Sequence, residues 1–503
     1  MYYKITNYDG LNTDYSGLYF TTLEYIHEFY YLDVIIQEVI LPTDDNQFVM
    51  IRDGHSWHAN KIILGKKYSL YDPITYQQLK LKWLKDDIID HASANNCIDT
   101  LNWIKDYKPK TDYSIFDSIF GIDNNHDQSL IYSKNAIDSA SANGHVNVLN
   151  WWLHSNLELK YTKESIDNAS ANRHVNVLEW WLHSKLKLKY TCDAINNAST
   201  NGHTDILNWW LYSKLELEYT ELSIDNASAN GHTDILEWYP SLLPLALSWI
   251  GWLQSELELK YTCDAIDSAS ANGHVHILEW YPSLLPLALA WIGWLQSKLE
   301  LKYTCNAIDA ASANGHTSVL NFWLQTKIPL KYTCIAIDYA SANGNIETLQ
   351  WWLLSNLSLK YSTNVVDYAS EHGQILVLHW LMNSGLSLQY TCDAIDYASA
   401  NGHVDMLQYW LQSGFELKYS NRSLLYASRN AHTNVLDWWI SSKLQLKYSI
   451  IDIAYLLKHQ FNTDVANWWA LSQLPIECDD EWLQNYDYDH ESIRRSRLRR
   501  SLG

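Results

Sequence analysis

Much of what would announce chemistry is missing from this 503-residue chain. No Gly-x-Gly-x-x-Gly, Gly-x-Ser-x-Gly, Walker motif or His-Glu-x-x-His occurs, so dinucleotide, hydrolase, P-loop and zincin chemistry have no support. The seven cysteines (Cys97, Cys192, Cys263, Cys305, Cys334, Cys392, Cys478) contain no Cys-x-x-Cys pair, which removes zinc ribbons and thioredoxin-type exchange. Their odd number suits a reducing compartment. No uncharged apolar run reaches the ~20 residues of a membrane helix, and the opening Met-Tyr-Tyr-Lys-Ile-Thr lacks the apolar core of a secretory leader. Excess positive charge is absent too: the net charge is −21, which repels phosphate backbones, so no nucleic-acid partner is expected.

Phe (8) and Met (4) are scarce, yet Trp (25) and Tyr (35) abound, a bias that arises when one segment is copied many times. The copied frame is visible in the dipeptide Ala-Ser, which begins at Ala140, Ala169, Ala198, Ala227, Ala269, Ala311, Ala340, Ala369, Ala398 and Ala427. The steps are 29 residues, except for two consecutive steps of 42. A divergent copy precedes them at Ala92 and another ends in Trp468-Trp469, giving ten clear units with degraded ends, as a stack with solvent beyond its last members requires.

In the copy that starts at Tyr190, Thr191 is placed to cap a helix, with Asp193 in its first turn. Ala194, Ile195, Ala198 and Ser199 form a small-residue stripe that lets a neighbouring helix approach. Asn201-Gly202 stops the helix, Gly202 taking the left-handed turn. A second helix carries Ile206, Leu207, Trp210 and Leu211 on one apolar face. The alternation Leu215-Glu-Leu217 predicts an extended return strand to the next Tyr-Thr. Such a pair buries its apolar face only against its neighbours, so the units stack.

The run Ala-Ile-Asp-x-Ala-Ser-x-Asn-Gly-His-x-x-Val-Leu-x-Trp-Trp-Leu resembles the ankyrin repeat over residues 81–470. The unit is 29 residues rather than ~33 and the opening Pro is absent, so the resemblance implies a shortened turn finger. Three blocks near the N-terminus (17–29, 34–42 and 60–67) resemble the leader module of ankyrin-repeat proteins from mimivirus-like giant viruses of amoebae. The expected fold is therefore mostly α: an ankyrin-type helical repeat solenoid of short units, preceded by a small α+β domain.

Residues 1–80 form that α+β module, with strand-like runs at Tyr2–Thr6, Val34–Leu41, Phe48–Arg52 and Lys61–Leu64 around one helix near Thr22–Tyr31. The array occupies 81–470, with a frame break at Tyr107–Asn125. Its 42-residue units carry uncharged inserts at 239–251 and 281–293, whose prolines (Pro240, Pro244, Pro282, Pro286) interrupt the second helix. They read as a duplicated insertion folded over its own repeat or as paired apolar protrusions. Residues 471–503 form a tail that runs from acidic to basic, with five arginines between Arg494 and Arg500.

The repeat histidines (His145, His174, His203, His232, His274, His316, His403, His432) lie one per unit. Stacked helices ~8–10 Å apart cannot share a metal whose bonds are ~2.0–2.1 Å, so they read as turn-stabilising. Spacing likewise argues against disulfides between the cysteines that follow Tyr-Thr. The Trp pairs read as packing rather than base-stacking platforms. No cofactor and no catalytic residue is expected, although His55, His58, Glu24 and Glu28 leave a catalytic N-terminal module as an alternative. The first expectation is an interaction scaffold that binds a host or viral protein on the concave face. Partner-binding residues are then the variable positions after Tyr-Thr: Lys163, Glu164, Asp193, Glu221, Leu222, Asn306, Ile335, Asn364 and Asp393. A passive structural array is the third reading. The resemblance implies an intracellular site, the host cytoplasm. The Arg-rich tail reads first as a solvated, disordered terminus and second as a nuclear-import or anion-binding signal.

Overall fold

The computed structural model describes residues 1–6, 18–82, 84–106, 130–239, 260–281, 302–326, 328–459 and 462–475. The chain divides into two compact units, Met1–Ser223 and Ile224–Gly503. The frame break at 107–125, all but the first residue of each insert and the tail beyond Pro475 lie outside the described residues.

The first unit opens with a six-stranded antiparallel sheet of β1 (Tyr2–Thr6), β2 (Leu18–Thr21), β3 (Ile35–Ile40), β4 (Met50–Asp53), β5 (Ser56–Ala59) and β6 (Ile63–Ser69). The spatial order is β4-β5-β2-β1-β3-β6. Alternation sorts the side chains: Phe20, Val39 and Ala59 form a core on one face with Trp57, Tyr2 and Phe48. Strands β2 and β5 escape the sequence reading, although the equally short β4 overlaps the expected run Phe48–Arg52; β5 (Ser-Trp-His-Ala) holds no β-branched residue. A hairpin signal for β5 was present, however: Asp53-Gly54, with Gly54 at φ +59.

The expected helix over Thr22–Tyr31 is instead a succession of i→i+3 turns with a 3-10 helix at Ile26–Phe29. This tight path seats Ile26 and Tyr30 in the interior, and the run is rich in aromatic and β-branched residues of modest helix propensity. Helix α1 (Pro73–Leu79) follows, capped by Asp72 and started by Pro73. Contacts then lead into the first repeat: Tyr71 stacks on His91 with centroids 3.6 Å apart, and Lys85 donates to the Tyr30 carbonyl at 2.9 Å.

Repeated helix pairs make up the rest of the first unit: Ile88–Ala94 with Ile98–Asp106, Asn135–Ala142 with Val146–His154, Glu164–Ala171 with Val175–His183, and Asp193–Thr200 with Thr204–Ser213. The second unit continues the pattern from Asn306–Ala313 with Thr317–Gln325 to Ile450–His459 with Thr463–Ser472. In the Tyr190 copy, Ala194, Ile195, Ala198 and Ser199 are buried as the stripe predicts. In the second helix Ile206, Leu207 and Trp210 are fully buried. Leu211, by contrast, is only half-buried: Trp210 fills the interior at that level and turns Leu211 toward the rim.

The expected return strand does not form; among the described residues no strand lies within the array. Residues 215–219 keep the alternating burial of an extended chain. A ladder needs strands ≈4.8 Å apart, however, and stacked helices hold successive returns ~8–10 Å apart. Side chains bridge that distance. Tyr161 Oη donates to the Lys187 carbonyl at 2.9 Å, and Lys189 Nζ donates to the Tyr161 carbonyl at 2.8 Å. That ammonium also lies 4.2 Å from the Tyr161 ring centroid. Tyr332, Lys360 and Ser358 repeat the arrangement in the second unit.

Gly402 ends its helix at φ +81, where an added Cβ would stand 2.8 Å from Nδ1 of His432. Ala431 holds the equivalent position at φ +63. Gly402→Ala should therefore lower stability by about 1 kcal/mol or more, while Ala431→Gly should raise it by up to about 1 kcal/mol. Thermal unfolding followed by circular dichroism reads both, and midpoints moving the other way would contradict the turn assignment.

Candidate interaction surface

The joint between successive repeats is built from a buried acid. Asp167 is 3% exposed, and its carboxylate accepts from the Thr191 N–H at 3.0 Å and the Thr191 hydroxyl at 2.8 Å. Thr191 Oγ1 in turn accepts from the Asp193 N–H at the start of the next first helix. The threonine recognised as a cap is thus also the hook by which one repeat holds the next. Asp138 with Thr162, Asp309 with Thr333, Asp338 with Ser362 and Asp367 with Thr391 repeat the joint. Across the inserts Asp225 holds Thr262 and Asp267 holds Thr304, so 13 extra residues leave it intact. Sequence reasoning passed over these aspartates; a Thr or Ser 24 residues after the buried Asp, or 37 across an insert, was the available signal.

A second joint uses tryptophan. The later Trp of each pair is buried, and its Nε1 donates to a serine one repeat earlier: Trp181 to Ser141 at 3.1 Å, Trp352 to Ser312 at 3.1 Å, Trp410 to Ser370 at 3.0 Å. The earlier Trp donates sideways, from a half-buried position in Trp180 to Asn150 and in Trp351 to Asn321, whereas Trp209 and Trp438 are themselves buried. Tyr281, the first residue of an insert, occupies the buried Trp position and meets Ser228 at 2.8 Å; burial pushes its phenol far up.

The repeat histidines reach back in the same way. His145 Nε2 is 3.0 Å from the Ala94 carbonyl, and Asn345, in the same position of another repeat, donates to Ala313 at 2.7 Å. Burial lowers the pKa of His174, His274 and His403. None of the eight meets two other ligand side chains. Among the described residues one group of possible ligands gathers, Cys392, Asp393 and Asp396. Its buried member, Asp396, already accepts from Ser420 and Ser423 as a repeat joint. The six described cysteines are free. Burial, then neighbouring carboxylates, push the thiols of Cys263, Cys334 and Cys392 up, so they stay protonated and unreactive.

With the interior so uniform, variation falls on the first turn of each first helix. Lys163, Glu164, Glu221, Leu222, Asn306 and Ile335 are exposed there, while Asp193, Asn364 and Asp393 are half-buried. Neighbouring copies touch: Lys163 Nζ lies 3.2 Å from Asp193, and Arg422 lies 3.8 Å from Asp393. Sequence reasoning did not pick out the outward position four residues further on, which holds Tyr339, Tyr368, Tyr397, Tyr426 and Tyr455 in five successive copies. In the sheet module His55 Nδ1 lies 2.9 Å from Glu28 beneath the stacked ring of Tyr25. His58 packs against Tyr19.

Comparison with known proteins adds the following. The family profile described as Ankyrin repeats (many copies) matches residues 366–409 and 395–440. "Uncharacterized protein L696" of Acanthamoeba polyphaga mimivirus is 38% identical over 30% of this chain, and the chain spans 42% of that relative's length. "Putative ankyrin repeat protein R868" of the same virus is 36% identical over 18% of this chain and 41% of its own length. "Uncharacterized protein R869", also of that virus, is 33% identical over 16% of this chain and 75% of its own length.

Two outcomes follow from the joints. Burial raises the pKa of Asp167, and the Thr191 bonds only partly offset this, so its charge opposes folding as pH rises through that raised value. Asn196 already fills the same position, bonding Thr220 and Ser223. Asp167→Asn should leave the pH 7 midpoint unchanged or higher, and Asp167→Ala should cost about 1–3 kcal/mol. For the histidines the sign reverses. Their folded pKa lies below the ordinary 6.5, so the unfolded chain takes up protons first and stability falls as pH drops below that value. Replacing His174, His274 and His403 by Asn should flatten the midpoint's pH dependence; an unaltered slope would remove the histidines as its source.

Proposed function

We propose that this chain, which belongs to the ankyrin-repeat family, is a non-catalytic scaffold that binds a protein across the exposed faces of its first helices. Ankyrin repeats are in general protein–protein interaction modules. One observation carries the finer reading: the copies are nearly uniform inside and vary at exposed first-turn positions. Lys163, Glu164, Asp193, Glu221, Leu222, Asn306, Ile335, Asn364 and Asp393 are the contacts proposed, on the concave face of the array. The relatives from an amoebal virus support a partner in the host cell, and the host cytoplasm as the place of action. No helix among the described residues is long and apolar enough to cross a membrane. A modifying role for the sheet module has the His55–Glu28 pair in its favour.

Affinity capture from amoebal lysate with the tagged full chain tests this. Ile335→Asp combined with Asp393→Lys should abolish retention of a protein that the parent holds, with the melting midpoint unchanged. Retention that survives this variant and is lost in His55→Ala/Glu28→Ala would move the function to the sheet module.

A further inference from the structure

First helices up to Ala310 carry small or polar side chains at the outward position after the buried acid: Ser139, Asn168, Asn197, Asn226, Ser268 and Ala310. From there five successive copies carry Tyr339, Tyr368, Tyr397, Tyr426 and Tyr455. The other copies form the same helix pair without these rings. Tyr339 is 44% exposed, Ile335, one turn earlier, 47%, and Tyr455 67%; Tyr368, Tyr397 and Tyr426 are half-buried. Four of the rings associate in pairs, Tyr339 with Tyr368 at 5.5 Å and Tyr397 with Tyr426 at 6.0 Å. The result is an aromatic ladder five repeats long on one face of the second unit.

Charge along the ladder is ordered. Passing back from the last repeat, exposed Lys458 lies one turn after Tyr455, and Arg429 and Arg422 flank Tyr426 and are exposed. Arg422 lies 3.8 Å from Asp393, and both bear on Tyr397 together with Glu371, which also bears on Tyr368; the Tyr339 end carries the neutral Ile335. Residues that follow Pro475 have the matching order: acidic between Asp479 and Glu491, then five arginines between Arg494 and Arg500.

We propose that this C-terminal segment of the chain itself occupies the ladder, its acids against Lys458 and Arg429 and its arginines over the tyrosine faces beside Glu371. The chain between Pro475 and Arg494 can extend to about 60 Å, and the ladder reaches back four copies at ~8–10 Å each, so the arginines can reach every rung. A guanidinium over a tyrosine face is a favourable contact, and the array already makes its lysine counterpart, with Lys418 Nζ 4.5 Å from the Tyr390 ring centroid. A protein partner on the same face would then compete with the segment. The inference shares that face with the scaffold reading but needs no partner.

The test is a trypsin time course on the full chain, read by intact mass as cleavage within Arg494–Arg500. It compares the parent with Tyr368→Asn/Tyr397→Asn, which installs the residue that Asn168 and Asn197 hold at this position. Losing two cation–aromatic contacts should speed cleavage about tenfold with the melting midpoint preserved, and 1 M salt should do the same to the parent. Equal slow cleavage in both proteins would place the segment elsewhere and overturn the proposal. Cleavage of both at the rate of a free peptide of residues 486–503 would also overturn it, leaving the ladder to a segment of another protein. Release of the segment without any captured host protein would defeat the scaffold reading alone, and capture without protection would defeat this inference alone.

Discussion

The array is held together by a hydrogen-bond acceptor, in most copies an aspartate, that one repeat buries for the benefit of the next. A helix start leaves N–H groups without partners, and a threonine cap satisfies one of them. Here the threonine is itself held, through its own N–H and hydroxyl, by the aspartate of the preceding first helix. Capping and stacking are therefore one interaction. The Trp-to-Ser and His-to-carbonyl bonds fasten the rest of the interface at the same spacing.

That spacing explains why the returns are not strands and why the variable residues lie where they do. Repeats stacked at helix distance are too far apart for backbone pairing, so tyrosine and lysine side chains span the returns. The interior tolerates few alternatives: Asn196 for Asp, Tyr281 for Trp, Leu381 for Trp with Ser341 turned to the Val365 carbonyl at 2.5 Å. Variation is left to the outward first-turn and mid-helix positions, which neighbouring repeats bring side by side.

The helical array was legible because its period is strict and its stripes obey helical spacing, down to the left-handed turn at Gly202. The buried role of the second Trp and the turn role of the histidines were legible as well, since one residue per unit cannot build a shared site. Leu211 and the return strand were misread because local periodicity says nothing about which neighbour fills the interior, or how far away the next chain segment lies. The Asp–Thr joint was overlooked because its two halves sit in different repeats, where a charged residue beside an apolar stripe looks like a solvated face. On the surface, the tyrosine ladder emerges only when copies are aligned and their exposure is known. In the sheet module β4 was legible in the run Phe48–Arg52, whereas β5, with no β-branched residue among Ser-Trp-His-Ala, was not.

The Asp–Thr joint also bears on how such a gene can change length. Each copy carries the acceptor for its successor and the donor for its predecessor, so unequal recombination between copies yields a chain in which every seam is complete. Gain or loss of a whole unit needs no compensating substitution, and the two long units show that the seam also survives an insertion within a copy. Only near the end does the register close: Leu425 stands where the acid should be and packs into the apolar cluster of the final helix pair, marking a terminus that cannot be exchanged for an interior unit.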